Sequence, residues 1–424
     1  MAARAAESTP STGAVGRTTS STKVALRVRL RTPVRDPPIA DCPAKVTPLG
    51  PIWPESAWPP PAFGPVAGPP PATAERLAAN CTTRPSFEFF CPCWARENAH
   101  TSSTHLEGSG QVGPQDAAVS DDTGLVGAAT VFEQLGLIGA AYAAPVTGGL
   151  GAGFHEDDPV TPASVMKIQV ALTVESLIAD GSLDGSSRRW MRGEDRTPGP
   201  VGISLMHDDV SMSVRDLVVA MLTVSDNVAT DELIRVVGLG EINGTTRRLG
   251  MARTLITSDI RGMLNQLARD VGFPDYRALA GHDPETEGPP SVDEIRRGLA
   301  DSTALVSDLG TRTTAVDTVT LLQAIWTDHG GPPRACAAVR QLMAQQLTRQ
   351  RIASGFAPPV TTAAKSGGLM GIIRNEAGVV SFADGAAYAV AVFTRSIRSG
   401  TDPAQIDAGI GRVARLLVDK LRGH

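Results

Sequence analysis

The chain is short of lysine, of excess positive charge and of long apolar runs. Its 39 basic residues include only five lysines, Lys23, Lys45, Lys167, Lys365 and Lys420, so arginine carries nearly all the positive charge. Against 44 acidic residues the formal net charge is -5, which leaves no positive field to meet phosphates and argues against a nucleic-acid partner. No run of about 18 apolar residues occurs, so no membrane-spanning helix is expected. Five cysteines in 424 residues exclude a small scaffold stapled by disulfides. The first 30 residues hold basic side chains but no continuous apolar stretch, and they do not read as a secretory signal. An exported form would need a different start.

What is present is unevenly distributed. The composition, 42% hydrophobic and 20% charged, is that of a soluble globular protein, and the length leaves room for one large catalytic body plus extra sequence. Prolines crowd the first 120 residues, in runs such as Pro59-Pro60-Pro61 and Pro69-Pro70-Pro71, where neither a helix nor a central strand persists. Residues 1–120 are therefore expected to be an extended, disordered tail, or sequence upstream of the true start. Cys42, Cys81, Cys91 and Cys93 lie there with His100 and His105. Their spacing fits no Cys-x2-Cys pair and Cys91-Pro92-Cys93 is a poor chelate, so no metal site is expected.

Regular apolar periodicity marks a folded domain over 121–424. Asp121 or Asp122 caps a predicted helix reaching about Leu137, with Val126, Ala129, Phe132 and Leu135 on one face. Residues 138 to 153 read as two strands joined by a glycine-rich turn, and a long helix is predicted from Pro162 to about Ile178. Ser213 and Asp216 form a capping box before a helix that turns Leu217, Val218, Met221 and Leu222 inward and ends near Thr223. Another helix runs from about Asn227 to Val237, stopped by Gly238. Strands return at Thr361 to Leu369, Asn375 to Phe382 and Ala387 to Thr394, the last two joined by an Asp384-Gly385 turn. A last amphipathic helix carries Ile406, Ile410, Val413, Leu417 and Leu421. Strands at both ends of a helical middle predict an α+β fold: one antiparallel sheet built from N- and C-terminal segments and flanked by helices, plus an all-helical subdomain.

Lysine usage points to the chemistry. Between residues 122 and 400 only Lys167 and Lys365 occur. A desolvated lysine can lose its proton near neutral pH and act as a base, whereas arginine stays charged. Lys167 closes Ser164-Val165-Met166-Lys167, whose i, i+3 spacing at a helix start puts a hydroxyl and an amine on one face, beside unpaired backbone N–H groups that suit an oxyanion. Ser225-Asp226-Asn227 sits in the break between two helices, where capping alone would also explain it. Lys365-Ser366-Gly367-Gly368 lies on a predicted strand whose small residues leave space for a substrate along the backbone. Each motif alone is common. All three in this order, consuming both lysines of the domain, are much less so.

Over about residues 125 to 420 the sequence resembles the penicillin-recognising serine hydrolases, and most closely the class A-like β-lactamase family. The resemblance implies Ser164 as acylated nucleophile, with Lys167 sharing or providing its base, and Ser225 as proton relay to the leaving nitrogen. It further implies Asn227 on the substrate side-chain amide, Lys365 stabilising negative charge and orienting Ser225, and Ser366 on the substrate carboxylate. The N–H groups of Ser164 and Gly368, next to Gly367, would form the oxyanion hole. No metal or cofactor is implied. The expected partner is a small β-lactam or a peptidoglycan peptide, and a monomer is expected. Such substrates favour an extracellular or cell-envelope location.

One departure bears on mechanism. The family's deacylating glutamate stands in an E-x-x-L-N loop, yet no glutamate occurs between Ile242 and His282, and Met263-Leu264-Asn265 puts Arg261 at its position. Asp259, Asp270, Glu285 and Glu287 are the candidate substitutes, and the long interval before Lys365 suggests an insertion near 270 to 300. The expected function is thus a β-lactamase-type serine hydrolase. A D-alanyl-D-alanine peptidase or esterase, or a non-hydrolysing penicillin-binding sensor, remains as the alternative. No G-x-S-x-G elbow or H-E-x-x-H pair supports a triad hydrolase or a zinc enzyme. His155 and His207 are expected at the surface or behind the site, and Arg374 and Arg395 as solvated strand ends that could assist carboxylate binding.

Overall fold

Alanine and β-branched residues make up about half of three C-terminal strands and one N-terminal strand, and these segments pair into a single twisted sheet. The computed structural model describes residues 123–305, 309–397 and 401–423. The proline-rich stretch with its cysteines and histidines lies outside them. The strands are β1 (Leu137–Pro145), β2 (Ala152–Phe154), β3 (Arg188–Met191), β4 (Val210–Ser213), β5 (Thr361–Leu369), β6 (Ile373–Ser381) and β7 (Ala387–Ser396). The main sheet has the order β2-β1-β7-β6-β5, with every neighbouring pair antiparallel, while β3 and β4 form a separate two-stranded ribbon. The first strand of the domain thus pairs with the last, and β5 is an edge.

The helices are α1 (Thr123–Gln134), α2 (Lys167–Ala179), α3 (Val214–Thr223), α4 (Asn227–Val237), α5 (Leu239–Arg248) and α6 (Ile260–Asp270). They continue with α7 (Tyr276–Gly281), α8 (Pro284–Glu287), α9 (Val292–Ala300), α10 (Ala315–Trp326), α11 (Pro333–Ala344) and α12 (Pro403–Arg422). On one sheet face α1 and α12 bury Leu125, Phe132, Ile406, Ile410, Val413 and Leu417 against Val380, Val390 and Val392. The other face and the helical body share a second core around α2, where Lys167 through Val174 are all buried. A helix buried all round carries apolar residues on every side, and over this stretch only Lys167, Gln169 and Thr173 are polar.

The α+β sheet from both chain ends is the one expected from the sequence. Two local readings need correction. The buried face of α1 is Leu125, Ala128, Val131 and Phe132, while Val126 is 47% exposed. In a segment of alanines and valines the apolar stripe can be drawn at more than one offset. The helix expected from Pro162 is two elements: a 3-10 turn over Ala163–Met166, then α2. The ribbon β3–β4 was not legible from the sequence.

Candidate active site

Ser164 stands in the 3-10 turn just before α2, half-buried among buried neighbours. Pro162 opens this turn with φ -72, as proline is fixed to do, and Ala163 takes φ +48. A left-handed non-glycine residue costs on the order of 1–3 kcal/mol and persists only where its surroundings hold it. Asn375, near the start of β6 and fully buried, supplies that hold. Its side-chain amide donates to the carbonyls of Thr161 (2.9 Å) and Pro162 (3.2 Å), and its Oδ1 accepts from the Thr394 N–H at 2.9 Å.

Lys167, one turn on, is fully buried. Its Nζ donates to the Ser225 carbonyl at 2.7 Å and to Asn227 Oδ1 at 3.0 Å, and lies 3.3 Å from Ser225 Oγ. Burial brings its pKa down to about 7, against the pull of the Asp231 and Asp226 carboxylates. A neutral amine still has two N–H donors for the carbonyl and the amide, and it keeps a lone pair that can take a proton.

The Ser225-Asp226-Asn227 segment is shaped by capping. Asp226, fully buried, is the N-cap of α4: its Oδ1 accepts from Ala229 N at 2.9 Å and its Oδ2 from Ile203 N at 2.5 Å. The capping reading is therefore correct for Asp226. Its neighbours turn the other way, with Ser225 at φ +65 and both Ser225 and Asn227 half-buried. Asn227 Nδ2 donates to Pro198 O at 2.9 Å, so both ends of that amide are bonded within the protein.

The third motif arrives on β5. A Cβ built on Gly367 would lie 2.7 Å from Pro162 O and 3.3 Å from Ser164 N, so only glycine lets this strand lie against the nucleophile turn. Lys365 is fully buried and donates to Ser366 O at 2.9 Å. Burial holds its pKa well below the usual lysine value, and the Lys167 charge pushes the same way. Ser366 Oγ reaches Thr348 Oγ1 at 3.4 Å, and Gly368 is exposed. The structure thus places Gly367 against the Ser164 turn and Ser225 and Asn227 on Lys167.

The remaining candidates lie in other roles. Asp259 caps α6 through Gly262 N at 2.7 Å. Asp270 accepts from Ser302 Oγ (2.6 Å) and Thr303 N (2.7 Å). Glu287 meets His282 at 2.9 Å, and Glu285 is exposed on α8. Arg261 bonds the Asp195 carbonyl. His207 is exposed, and His155 meets Asp158 at 3.1 Å. Arg374 and Arg395 are not solvated strand ends. Arg374 clamps the buried Asp407, and Arg395 donates to the carbonyls of Ala300 and Leu305. The sequence reading missed Asn375, Asp231 and Arg351, whose partners lie far away along the chain.

The chain is similar to several known proteins. The beta-lactamase regulatory protein BlaB of Streptomyces cacaoi is 29% identical over 288 residues, covering 64% of this chain and 88% of its own. A beta-lactamase from Sphaerobacter thermophilus superposes with a TM-score of 0.55 at 22% identity, covering 72% of this chain and 98% of that one. PBP-A gives 0.53 at 19% identity, over 70% and 97%, as does a variant of it captured as an acyl-enzyme with penicillin G. At such identities the structural matches establish the shared fold alone. Residues 130–421 match the model of the beta-lactamase enzyme family, a span that takes in all three motifs and well over half of the sequence, and the chain belongs to that family.

Proposed function

We propose that the protein forms an acyl-enzyme with β-lactams at Ser164 and releases it slowly. The observation that carries this reading is the buried Lys167 amine, bonded to Ser225 and Asn227 and with a pKa of about 7, one turn from the half-buried Ser164. Ser164 Oγ attacks the ring carbonyl while neutral Lys167 takes its proton. The ring C–N bond breaks, and the proton passes through Ser225 to the departing nitrogen. The Ser164 and Gly368 N–H groups receive the negative oxygen that develops on the carbonyl. Lys365 and Ser366 face the substrate carboxylate, and a substrate amide reaching Asn227 competes with its bonds to Lys167 and Pro198.

Release requires a general base to activate water. Asp259, Asp270 and Glu287 are held in contacts of their own, Glu285 is exposed on α8, and arginine stands at the glutamate position, which supports a long-lived adduct. Similarity to a regulatory protein fits that lifetime. Hydrolytic turnover is the second reading, favoured by membership of an enzyme family. The mass of the intact protein, followed over time with benzylpenicillin, tests the first half. One penicillin should add to the native chain and none to Ser164→Ala; a labelled Ser164→Ala variant would sink the proposal. Turnover of a chromogenic cephalosporin separates the two readings, since steady hydrolysis demands a decaying adduct.

A further inference from the structure

Behind β5 lies a buried arginine that the reaction scheme leaves unused. Arg351 is 7% exposed and precedes a short 3-10 turn, Ile352–Gly355. One guanidinium nitrogen, Nη1, donates to Gly367 O at 2.7 Å and to Asn375 O at 2.6 Å. Nε pairs with Asp407 at 2.8 Å, on a carboxylate that Arg374 also holds. We propose that Arg351 is a positioning residue for the oxyanion hole: by holding the Gly367 carbonyl it aims the Gly368 N–H. The inference rests on the acyl-enzyme reading above.

The strand geometry supplies the link. Ser366 N–H donates to the Gln346 side chain and not to β6, so Ser366 turns its backbone to the open edge of the sheet. Backbone direction alternates along a strand, so Gly368 faces the same edge and Gly367, paired with Asn375, faces β6. Gly367 C=O and Gly368 N–H belong to one planar trans peptide and point in opposite directions. Fixing the carbonyl on the inner side therefore fixes the N–H on the outer side.

Anchorage matters here because two consecutive glycines on an edge strand have wide backbone freedom. The same crossing point serves the second oxyanion donor. Gly367 packs against Ser164 N, and Asn375, whose carbonyl Arg351 also holds, bonds the carbonyls of Thr161 and Pro162. The planar guanidinium spreads its donors, Nη1 onto two carbonyls and Nε onto the carboxylate, whereas a lysine ammonium concentrates three donors at one point, so lysine is a poor replacement.

The test uses the full chain with Arg351→Lys. The Gly368 amide signal should move in a 1H–15N spectrum of the folded variant. Acylation by benzylpenicillin should slow on the order of tenfold to a hundredfold, a fraction of the loss seen when an oxyanion donor is removed outright. Affinity for phenylboronic acid, which forms a tetrahedral serine adduct and has no carboxylate, should fall by a similar factor. An unmoved Gly368 amide overturns the proposal. So does slower acylation with unchanged phenylboronic acid affinity, because that pattern means Arg351 simply binds the penicillin carboxylate. A native chain that forms no adduct refutes the acyl-enzyme reading, while the amide signal still decides the positioning. If Arg351→Lys does not fold, Arg351→Met, which leaves the Asp407 carboxylate paired with Arg374, takes the same measurements.

Discussion

The carboxylate of Asp231 accepts the backbone N–H of Ile260 at 2.7 Å. It also accepts from Arg261 N at 3.0 Å and from the Thr197 hydroxyl at 2.6 Å. One buried acid therefore joins α4, the start of α6 and the segment after β3. Burial raises its pKa to about 6, so it is ionised at neutral pH, and from there its charge favours the ammonium form of Lys167.

The proposed acylation should carry the pH dependence of Lys167. If the neutral amine is the base, as proposed, the acylation rate should rise with pH through about 7. Stability follows the same sign. Between about pH 7 and the free-lysine value of 10.5 the unfolded chain binds this proton and the folded one does not, so the residue's contribution to stability grows as pH rises. Stopped-flow acylation from pH 5.5 to 9 checks the profile, and a rate that is flat across that range contradicts Lys167 as the base.

Asp231→Asn removes the charge and one acceptor. The acylation midpoint should move below 7, because a carboxylate that favours the ammonium is lost. Stability should fall by about 1–3 kcal/mol, the usual cost of leaving a buried donor unpaired. Denaturant melts together with the same pH series separate the two effects. An unshifted midpoint in a destabilised protein would make Asp231 a purely structural acid.

Gly367→Ala tests the contact between strand and nucleophile. The added methyl would meet Pro162 O at 2.7 Å and cannot be absorbed by a flexible side chain. Overpacking of this kind costs about 1–3 kcal/mol, and a shift of about 1 Å at an active site can cost on the order of a hundredfold in rate. Acylation should therefore fall far more than the melting temperature suggests. Unchanged acylation would mean that β5 does not line the site.

Much of this was legible because it is written locally. Ser213 and Asp216 mark the start of α3, Asp226 caps α4, and Gly385, at φ +87, turns β6 into β7. Both lysine motifs could be read because arginine had displaced lysine elsewhere. What stayed hidden depends on partners distant in sequence. Arg374 looks like a strand-end charge until Asp407 closes on it, and Arg351 carries no motif at all. Helix α1, with two glycines, two alanines and two threonines among its 12 residues, shows the other limit, since small residues define no unique face and packing against α12 decides which side is buried.

Asn375 is the sharpest case of a residue that only the fold reveals, and its chemistry gives a prediction with a sign. Its amide donates to two carbonyls beside Ser164 and its oxygen accepts from Thr394 N. Asn375→Ala leaves three buried backbone groups without this partner and should cost about 3 kcal/mol or more. Asn375→Asp keeps the acceptor but sets an anion against the carbonyls of Thr161 and Pro162, so its folded-state pKa must rise above the usual value near 3.9. Stability from a raised carboxyl pKa is present at low pH and is lost as pH climbs through the folded-state value. Relative to Asn375→Ala, the aspartate variant should therefore gain stability as pH is lowered from 7 towards 4, and its acylation at pH 7 should be no better than that of the alanine variant. Melting both variants side by side across that range cancels the titration of every other carboxylate. A difference that does not change with pH would mean that the Asn375 side chain does not hold the nucleophile turn.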